Sequence, residues 1–162
     1  MTLSTIGIGS SANDGTGDPL RTAGGTINAA INALNAWSGT IEVVIDGGGS
    51  TIVTGLKGYL SVPIAGTITE AKLLADQSGS IVVNVWKCTY SQFDAGSTHP
   101  VVGDKITSSA PPTISTATKS QDTTLTGWTT AFSAGDVFAF NVDSVTTITR
   151  VALSLKYTRT VP

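Results

Sequence analysis

The chain has 162 residues and a net charge of −2; hydrophobic residues make up 40% of it and charged residues only 12%. That charged fraction is about half of the ~25% usual for soluble domains, which is typical of a protein whose surface is largely covered by partners. The length fits one domain with a short appendage. Its apolar runs are too short to span a membrane and its nine basic residues are scattered, which excludes an integral membrane protein and a nucleic-acid binder.

Residues 1–17 are small, polar and rich in glycine, and they include the turn sequence Asn13-Asp14-Gly15. We expect an extended N-terminal arm, either disordered or ordered against a neighbouring subunit. A calcium loop at residues 13–18 is an alternative, although a turn followed by a helix cap explains the same residues. The segment has neither the basic region nor the apolar run of a secretory signal, so we expect the protein to stay in the cytosol until it is used. The candidate arm contacts are Asn13, Asp14, Asp18 and Arg21.

One short helix is predicted over residues 18–39. Asp18 is a suitable N-cap, Pro19 suits the first helical position, and Ser38-Gly39 forms a suitable stop. Apolar residues recur at spacings of three and four, as in a coiled coil. These residues, called the helix seam below, are Leu20, Ala23, Ile27, Ala30, Leu34 and Trp37. A helix of this length is marginal alone, so we expect it either to associate around a three-fold axis or to lie on its own β-domain.

From residue 40 to 162 the pattern changes to short β-rich runs separated by turn residues, which predicts a β-domain. The predicted strands are 41–45, 51–62, 67–75, 80–90, 113–117, 123–128, 137–142 and 146–158. The predicted turns include 46–49, 63–66, 76–79 and 133–136. In the last strand, alternation places Val151, Leu153 and Leu155 on the buried face. The fold class is therefore mainly β: a jelly-roll-like antiparallel β-sandwich preceded by the arm and the helix.

Residues 91–112 form the longest irregular stretch, called the contact loop below, because such loops are often functional. An exposed connector without a partner is the alternative. Its candidate contact residues are Phe93, Asp94, His99, Asp104 and Lys105.

The residues needed for catalysis or for a metal site are scarce. His99 is the only histidine and Cys88 the only cysteine, so one chain lacks the ligands for zinc and has no evident triad. A metal held by three copies of His99 is a remaining alternative. Cys88 falls in a predicted strand, where a packed thiol is favoured over a reactive one. We expect no enzyme activity and no cofactor.

Two segments resemble known phage proteins. The sequence SSANDGTGDPLRTAGGTINAAINAL resembles a motif of tailed-bacteriophage virion proteins, commonly NDGTGDPLRTAFxKINxNFxEL. The match covers residues 13–23 and Ile27-Asn28, and it departs at Gly24, Gly25 and Ile31, where the family has bulkier or basic residues. Two segments of the β-region are similar to a domain found at the ends of phage structural and tail proteins. They are GYLSVPIAGTITEAKLLADQSGSIVVNVWK and LTGWTTAFSAGDVFAFNVDSVTTITRVALSLK.

The resemblance implies a non-enzymatic virion component made in the host cytoplasm. Our first expectation is a homotrimeric capsid decoration or cement protein on the head, whose partners are its own copies and the major capsid protein. The alternative is a tail-fibre or receptor-binding tip that contacts tail proteins and a host surface glycan or protein. A secreted lectin or carbohydrate-active enzyme, with Trp128 as a sugar-stacking residue, is a third class. None of these roles involves nucleic acid or a membrane.

Overall fold

A computed structural model describes residues 6–8, 15–35, 37–94 and 98–160. These residues divide into two compact units, with the boundary between Trp37 and Ser38. Over these residues the fold is mainly β, with one α-helix and an antiparallel sheet that curls, which confirms the predicted class.

The first unit contains helix α1, Leu20–Asn35. It begins at Leu20, so Pro19 precedes the helix and is not its first residue, and the Asp18 carboxylate, predicted as the N-cap, accepts the Gly7 N–H. The expected stop at Ser38-Gly39 is wrong too, since the helix ends at Asn35. Both residues belong to the first strand, where they pair with Thr158 and Tyr157. A Cβ atom on Gly39 would lie 2.6 Å from Cζ of Tyr157, so the glycine serves strand packing and not helix termination.

The second unit begins at Ser38, two residues before the predicted boundary, and its described residues form seven antiparallel strands. They are β1 (Ser38–Asp46), β2 (Gly55–Ser61), β3 (Gly66–Cys88), β4 (Thr113–Asp122), β5 (Ala131–Phe132), β6 (Val137–Thr146) and β7 (Arg150–Arg159).

The long strand β3 organises the sheet. Its first half, residues 66–75, pairs with β7, whereas residues 80–88 pair with β6. Strand β4 runs along the opposite edge of both halves. The sheet therefore curls around the middle of β3, with β1 and β7 beside its first half and β6 and β2 beside its second half.

Several predicted boundaries in this unit are wrong. The strands predicted at 51–62 and 113–117 are Gly55–Ser61 and Thr113–Asp122. The sequence 76–79 is not a turn, because β4 pairs with β3 on both sides of it and the strand continues with a shift in register. The predicted strand 123–128 is a turn in which Asp122 accepts hydrogen bonds from the N–H groups of Thr124 and Leu125. The last strand begins at Arg150 and not at residue 146, because residues 137–146 form one strand.

The core lies between the inner faces of the curled sheet. Val151, Leu153 and Leu155 are fully buried, which confirms the predicted face of the last strand. Val83 and Val85 of β3 are fully buried as well, yet Asn84 between them is also buried, so both faces of this part of β3 are covered.

Candidate interaction surfaces

Five of the six helix-seam residues lie on α1, whereas Trp37 lies two residues beyond its end, and the large residues among the six remain accessible. Leu20 is 91% exposed, Leu34 is 56% exposed and Trp37 is 59% exposed. Ala23 and Ala30, which alternate with the large residues, are half-buried. A continuous stripe of exposed large apolar side chains marks a surface that is suited to a partner.

The predicted arm contacts have two different outcomes. Asn13 and Asp14 lie outside the described residues. Asp18 exchanges two hydrogen bonds with Gly7: its carboxylate Oδ2 accepts from the Gly7 N–H at 2.8 Å, and its own N–H donates to the Gly7 carbonyl at 2.8 Å. This pair ties part of the arm to the start of the helix. Arg21, one residue into the helix, is exposed.

Four predicted residues of the contact loop take part in hydrogen bonds or ring contacts within the β-domain. His99 Nδ1 lies 2.8 Å from Oδ2 of Asp104, which also accepts the Val101 N–H at 2.7 Å. Burial raises the pKa of Asp104, but these two hydrogen bonds outweigh it and hold the pKa below its usual value. The N–H of Asp94 donates to the His99 carbonyl at 3.2 Å. The loop is therefore ordered by its own polar groups at this end.

Phe93 contacts a residue that sequence reasoning did not single out. Its ring meets the ring of Tyr59 edge to face, with centroids 4.9 Å apart and an interplanar angle of 84°. Tyr59 belongs to β2, so the contact joins the beginning of the contact loop to an edge strand of the sheet.

The second part of the loop runs along β3. Lys105 forms an isolated bridge with Trp86, and the N–H of Ile106 donates to the Val85 carbonyl at 2.9 Å. Thr107 is fully buried and its hydroxyl donates to Asn84, which explains the burial of that asparagine. Lys105 is exposed, as is Asp94 among the predicted contact residues of this loop.

Cys88, at the end of β3, is buried, and burial raises the pKa of its thiol. Because the thiolate is the reactive form, this environment suits the packed thiol that the sequence predicts. Trp128 is likewise only 9% exposed and its indole N–H donates to the Ala110 carbonyl, so it is a core residue and a poor candidate for sugar stacking.

A polar groove of about 400 Å³ lies on the outer face of β1, β7 and β3. Within it, Lys72 Nζ and Glu70 Oε1 are 2.9 Å apart, and this hydrogen bond lowers the pKa of Glu70. The groove is lined by Thr40, Glu42, Glu70, Lys72, Ser154 and Lys156. Two carboxylates and two ammonium groups balance one another there, so the groove carries no net charge to attract an ion.

Sequence reasoning missed two accessible aromatic side chains, Tyr59 and Tyr90, although it singled out Phe93, whose ring contacts that of Tyr59. Tyr90 is 74% exposed and Tyr59 is 39% exposed. The sequence held a signal for Tyr90, because it lies three residues before Phe93 in an otherwise polar segment. Tyr59 could not be assigned to the surroundings of Phe93, since only the folded chain brings β2 beside the start of the contact loop.

Within the described residues, no His, Cys, Asp and Glu side chains form a group of three that could hold a metal ion. None of the described helices is both long and apolar enough to cross a membrane. No protein-family model matches the chain. A comparison with curated proteins finds no match either.

Proposed function

We propose that this protein is a non-enzymatic structural component of a tailed-phage virion, a homotrimeric decoration or cement protein that binds the assembled head lattice. The observation that carries the proposal is the accessible helix seam with its coiled-coil spacing. The motif resemblance at residues 13–23 supplies the virion context.

The energetic argument starts from the large residues of the seam. Burying one Leu or Ile side chain contributes roughly 1.5–3 kcal/mol, and Leu20, Ile27 and Leu34 would be buried in each of three copies. The small residues Ala23 and Ala30 allow the helices to approach closely. Closed cyclic symmetry then covers the same stripe on every copy without leaving an open end.

The mechanism is mass action and involves no reaction. A protein that binds the assembled lattice but not free capsid subunits stabilises the lattice by the free energy of that binding. The head surface is the favoured location, with the major capsid protein as partner. The low fraction of charged residues suits a surface that is permanently covered.

The trimer is tested by multi-angle light scattering of the full chain and of the variant Ile27→Asp. We expect a trimeric mass for the wild type and a monomeric mass for the variant, because a buried charge in the seam is costly. The matched control is Asn32→Asp, which places the same charge on an exposed position of the helix and should remain trimeric. A wild-type chain that stays monomeric at high concentration would contradict the trimer.

The cement role is tested by quantifying the protein in purified particles. A copy number comparable to that of the major capsid protein supports it. Absence from the particles rejects the virion assignment, and a few copies per particle reject cement in favour of the second candidate.

That second candidate is a tail-fibre or receptor-binding tip. The observation in its favour is the edge-to-face pair formed by Tyr59 and the contact-loop residue Phe93, next to the ordered part of that loop. An antibody against the contact loop that blocks adsorption to host cells would support the tip, whereas unchanged adsorption at saturating antibody would count against it.

A further inference from the structure

The outer faces of the two halves of the sheet differ in how far they are covered. On the half that contains residues 80–88 of β3, Asn84 is buried against Thr107 of the contact loop. On the other half, Val44 of β1 is 58% exposed and Leu74 of β3 is 50% exposed. We call the outward side of β1, β7 and residues 70–74 of β3 the open face. Large apolar side chains that remain accessible on a sheet mark it as a contact surface.

One level of the open face is charged and has a small residue at its centre. The strand register places Ser154 of β7 directly between Glu42 of β1 and Lys72 of β3. The same three side chains line the polar groove described above. Lys72 Nζ contacts Oε1 of Glu70 at 2.9 Å, whereas Glu42 has no ion-pair partner among the described residues. This level therefore has an acidic side on β1 and a basic side on β3.

The neighbouring level is apolar and also has a small residue at its centre. The register places Ala152 of β7 directly between Val44 and Leu74. Because Ala152 and Ser154 are both small, a second surface can approach β7 closely while the larger side chains of β1 and β3 flank the contact.

Charged residues at the two ends of the open face are balanced within the chain. At one end, Arg150 Nε donates to Oδ2 of Asp46 at 2.7 Å. At the other end, Lys156 lies directly opposite Glu70 on the adjacent strand. The apolar level is thus bordered by charged residues on both sides, which is the arrangement of an interface with an apolar centre and a polar rim.

The pattern of the open face is complementary to itself under a two-fold rotation about an axis parallel to β7. The rotation places β1 of one copy over β3 of the second copy, so Glu42 meets Lys72 of the second copy. Val44 meets Leu74 of the second copy in the same way, and each contact occurs twice. This axis keeps the strands of the two sheets aligned, as is usual for sheets that pack face to face.

The size of the open face sets the strength of such a contact. Three strands about 5 Å apart with four outward levels about 7 Å apart cover roughly 300–400 Å² per copy. A standard stable interface covers ~800 Å² per partner, so we expect a weak contact that forms at high concentration. Copies held side by side on a particle are at such a concentration. Light scattering of dilute protein then detects association through the helix seam alone.

We propose that the open face pairs with the open face of a second copy about a two-fold axis, with Glu42 against Lys72 and Val44 against Leu74. This interface is separate from the helix seam and goes beyond the proposed trimer, since it would link neighbouring trimers. It depends only on the β-domain, so its failure is distinguishable from failure of the trimer or of the virion assignment.

The test measures self-association of the full chain in the Ile27→Asp background, where the seam does not associate, by sedimentation velocity. We expect a monomer–dimer equilibrium as the protein concentration approaches about 1 mM. Glu42→Lys or Lys72→Glu, each added to this background, should weaken the dimer roughly tenfold, because each reversal turns two symmetry-related attractions into repulsions. An equimolar mixture of the two variants should dimerise as strongly as the parent, because each variant supplies the charge that the other one needs.

The matched control is Lys105→Glu, which reverses an exposed lysine outside the open face and should leave dimerisation unchanged. Thermal unfolding verifies that every variant is folded. Lys72→Glu also loses the contact with Glu70, but mixing does not repair that loss, so recovery in the mixture reports contact between copies.

Three results would overturn the proposal: no dimer at the highest concentration, a dimer that the two reversals leave unchanged, or a mixture that associates no better than its components. Growth beyond a dimer would overturn it as well, because a two-fold contact between identical faces closes after two copies.

Discussion

The indole Nε1 of Trp128 donates a hydrogen bond to the carbonyl oxygen of Ala110, 2.8 Å away. Trp128 lies in the hydrophobic core, and Ala110 lies near the end of the contact loop. Two residues further on, the Pro112 carbonyl accepts the Val83 N–H of β3 at 3.0 Å. The last part of the loop is therefore attached to the core on one side and to the sheet on the other.

Replacing Trp128 should show how much this attachment contributes to the free energy of unfolding of the β-domain. Trp128→Phe keeps an aromatic ring but leaves the Ala110 carbonyl without its donor, so we expect the free energy of unfolding to fall by about 1–3 kcal/mol. Trp128→Ala removes the packing as well and should cost about 3–5 kcal/mol. Urea denaturation of the β-domain measures both effects. The control is Trp37→Phe, which alters an exposed seam residue and should leave this transition unchanged. Equal stability of Trp128→Phe and the wild type would contradict a stabilising role for the hydrogen bond to Ala110.

Gly79 marks the place where β3 changes partners. A Cβ atom there would meet the Thr146 carbonyl and the Thr147 hydroxyl and would lie 2.8 Å from Cγ1 of Ile148. We expect Gly79→Ala to destabilise the domain by about 1–3 kcal/mol, since backbone must move to relieve the overlap. Gly58→Ala in β2 is the matched control, because a Cβ there has no neighbour within 4 Å. Thermal and urea unfolding of the two variants should differ clearly, and similar stabilities would refute the explanation.

The continuation of β3 through Gly79 could not be predicted from the local sequence. Asp76-Gln77-Ser78-Gly79 has the composition of a turn, and local preference alone predicts one. The strand continues because β4 pairs with β3 before and after this segment. Those partners are distant in sequence, so no local window contains the information.

The fold class and the buried face of the last strand were predictable because they depend on composition and on alternation within one segment. In the contact loop, His99 and Asp104 were both predicted as contact residues, but they bind each other. Their separation of five residues made such a pair conceivable from the sequence. The contact of Phe93 with Tyr59 was not predictable, because it depends on how the curled sheet brings β2 to the loop.

Gly25 gives a test of the helix. It is exposed, and a Cβ at this position has no neighbour within 4 Å. Gly25→Ala should therefore stabilise the helix by about 0.5–1 kcal/mol, because alanine loses less backbone entropy than glycine on folding. Far-UV circular dichroism of the full chain should show more helix, and the trimer should dissociate at a lower protein concentration than that of the wild type.

The comparison with Gly24→Ala separates helix propensity from packing. Gly24 is half-buried and lies beside the seam residues Ala23 and Ile27, whereas Gly25 lies farther from the seam. If three helices pack closely at this level, Gly24→Ala should gain less trimer stability than Gly25→Ala. Equal gains would indicate that the helices do not approach one another there, and a loss with Gly25→Ala would contradict the assigned seam.

Acid should destabilise the β-domain, because two of its aspartates have lowered pKa values. The N–H groups of Thr124 and Leu125, followed by the Thr124 hydroxyl, hold the pKa of Asp122 below its usual value. The pKa of Asp104 is lowered as well, in its case against the opposing effect of burial. A carboxyl whose pKa is lower in the folded chain than in the unfolded one stabilises the fold above the unfolded pKa of about 3.9. That contribution is lost as the pH falls through the folded pKa.

We therefore expect the free energy of unfolding contributed by these groups to be constant from neutral pH to about pH 5 and to fall below about pH 4. Asp122→Asn should be less stable than wild type at neutral pH and should lose less stability on acidification, because its side chain has no proton to gain. Urea denaturation at a series of pH values measures both slopes. Glu42→Gln, which alters an exposed side chain on β1, is the control and should follow the wild-type curve. An Asp122→Asn curve parallel to the wild type down to low pH would show that the turn after β4 does not carry this dependence.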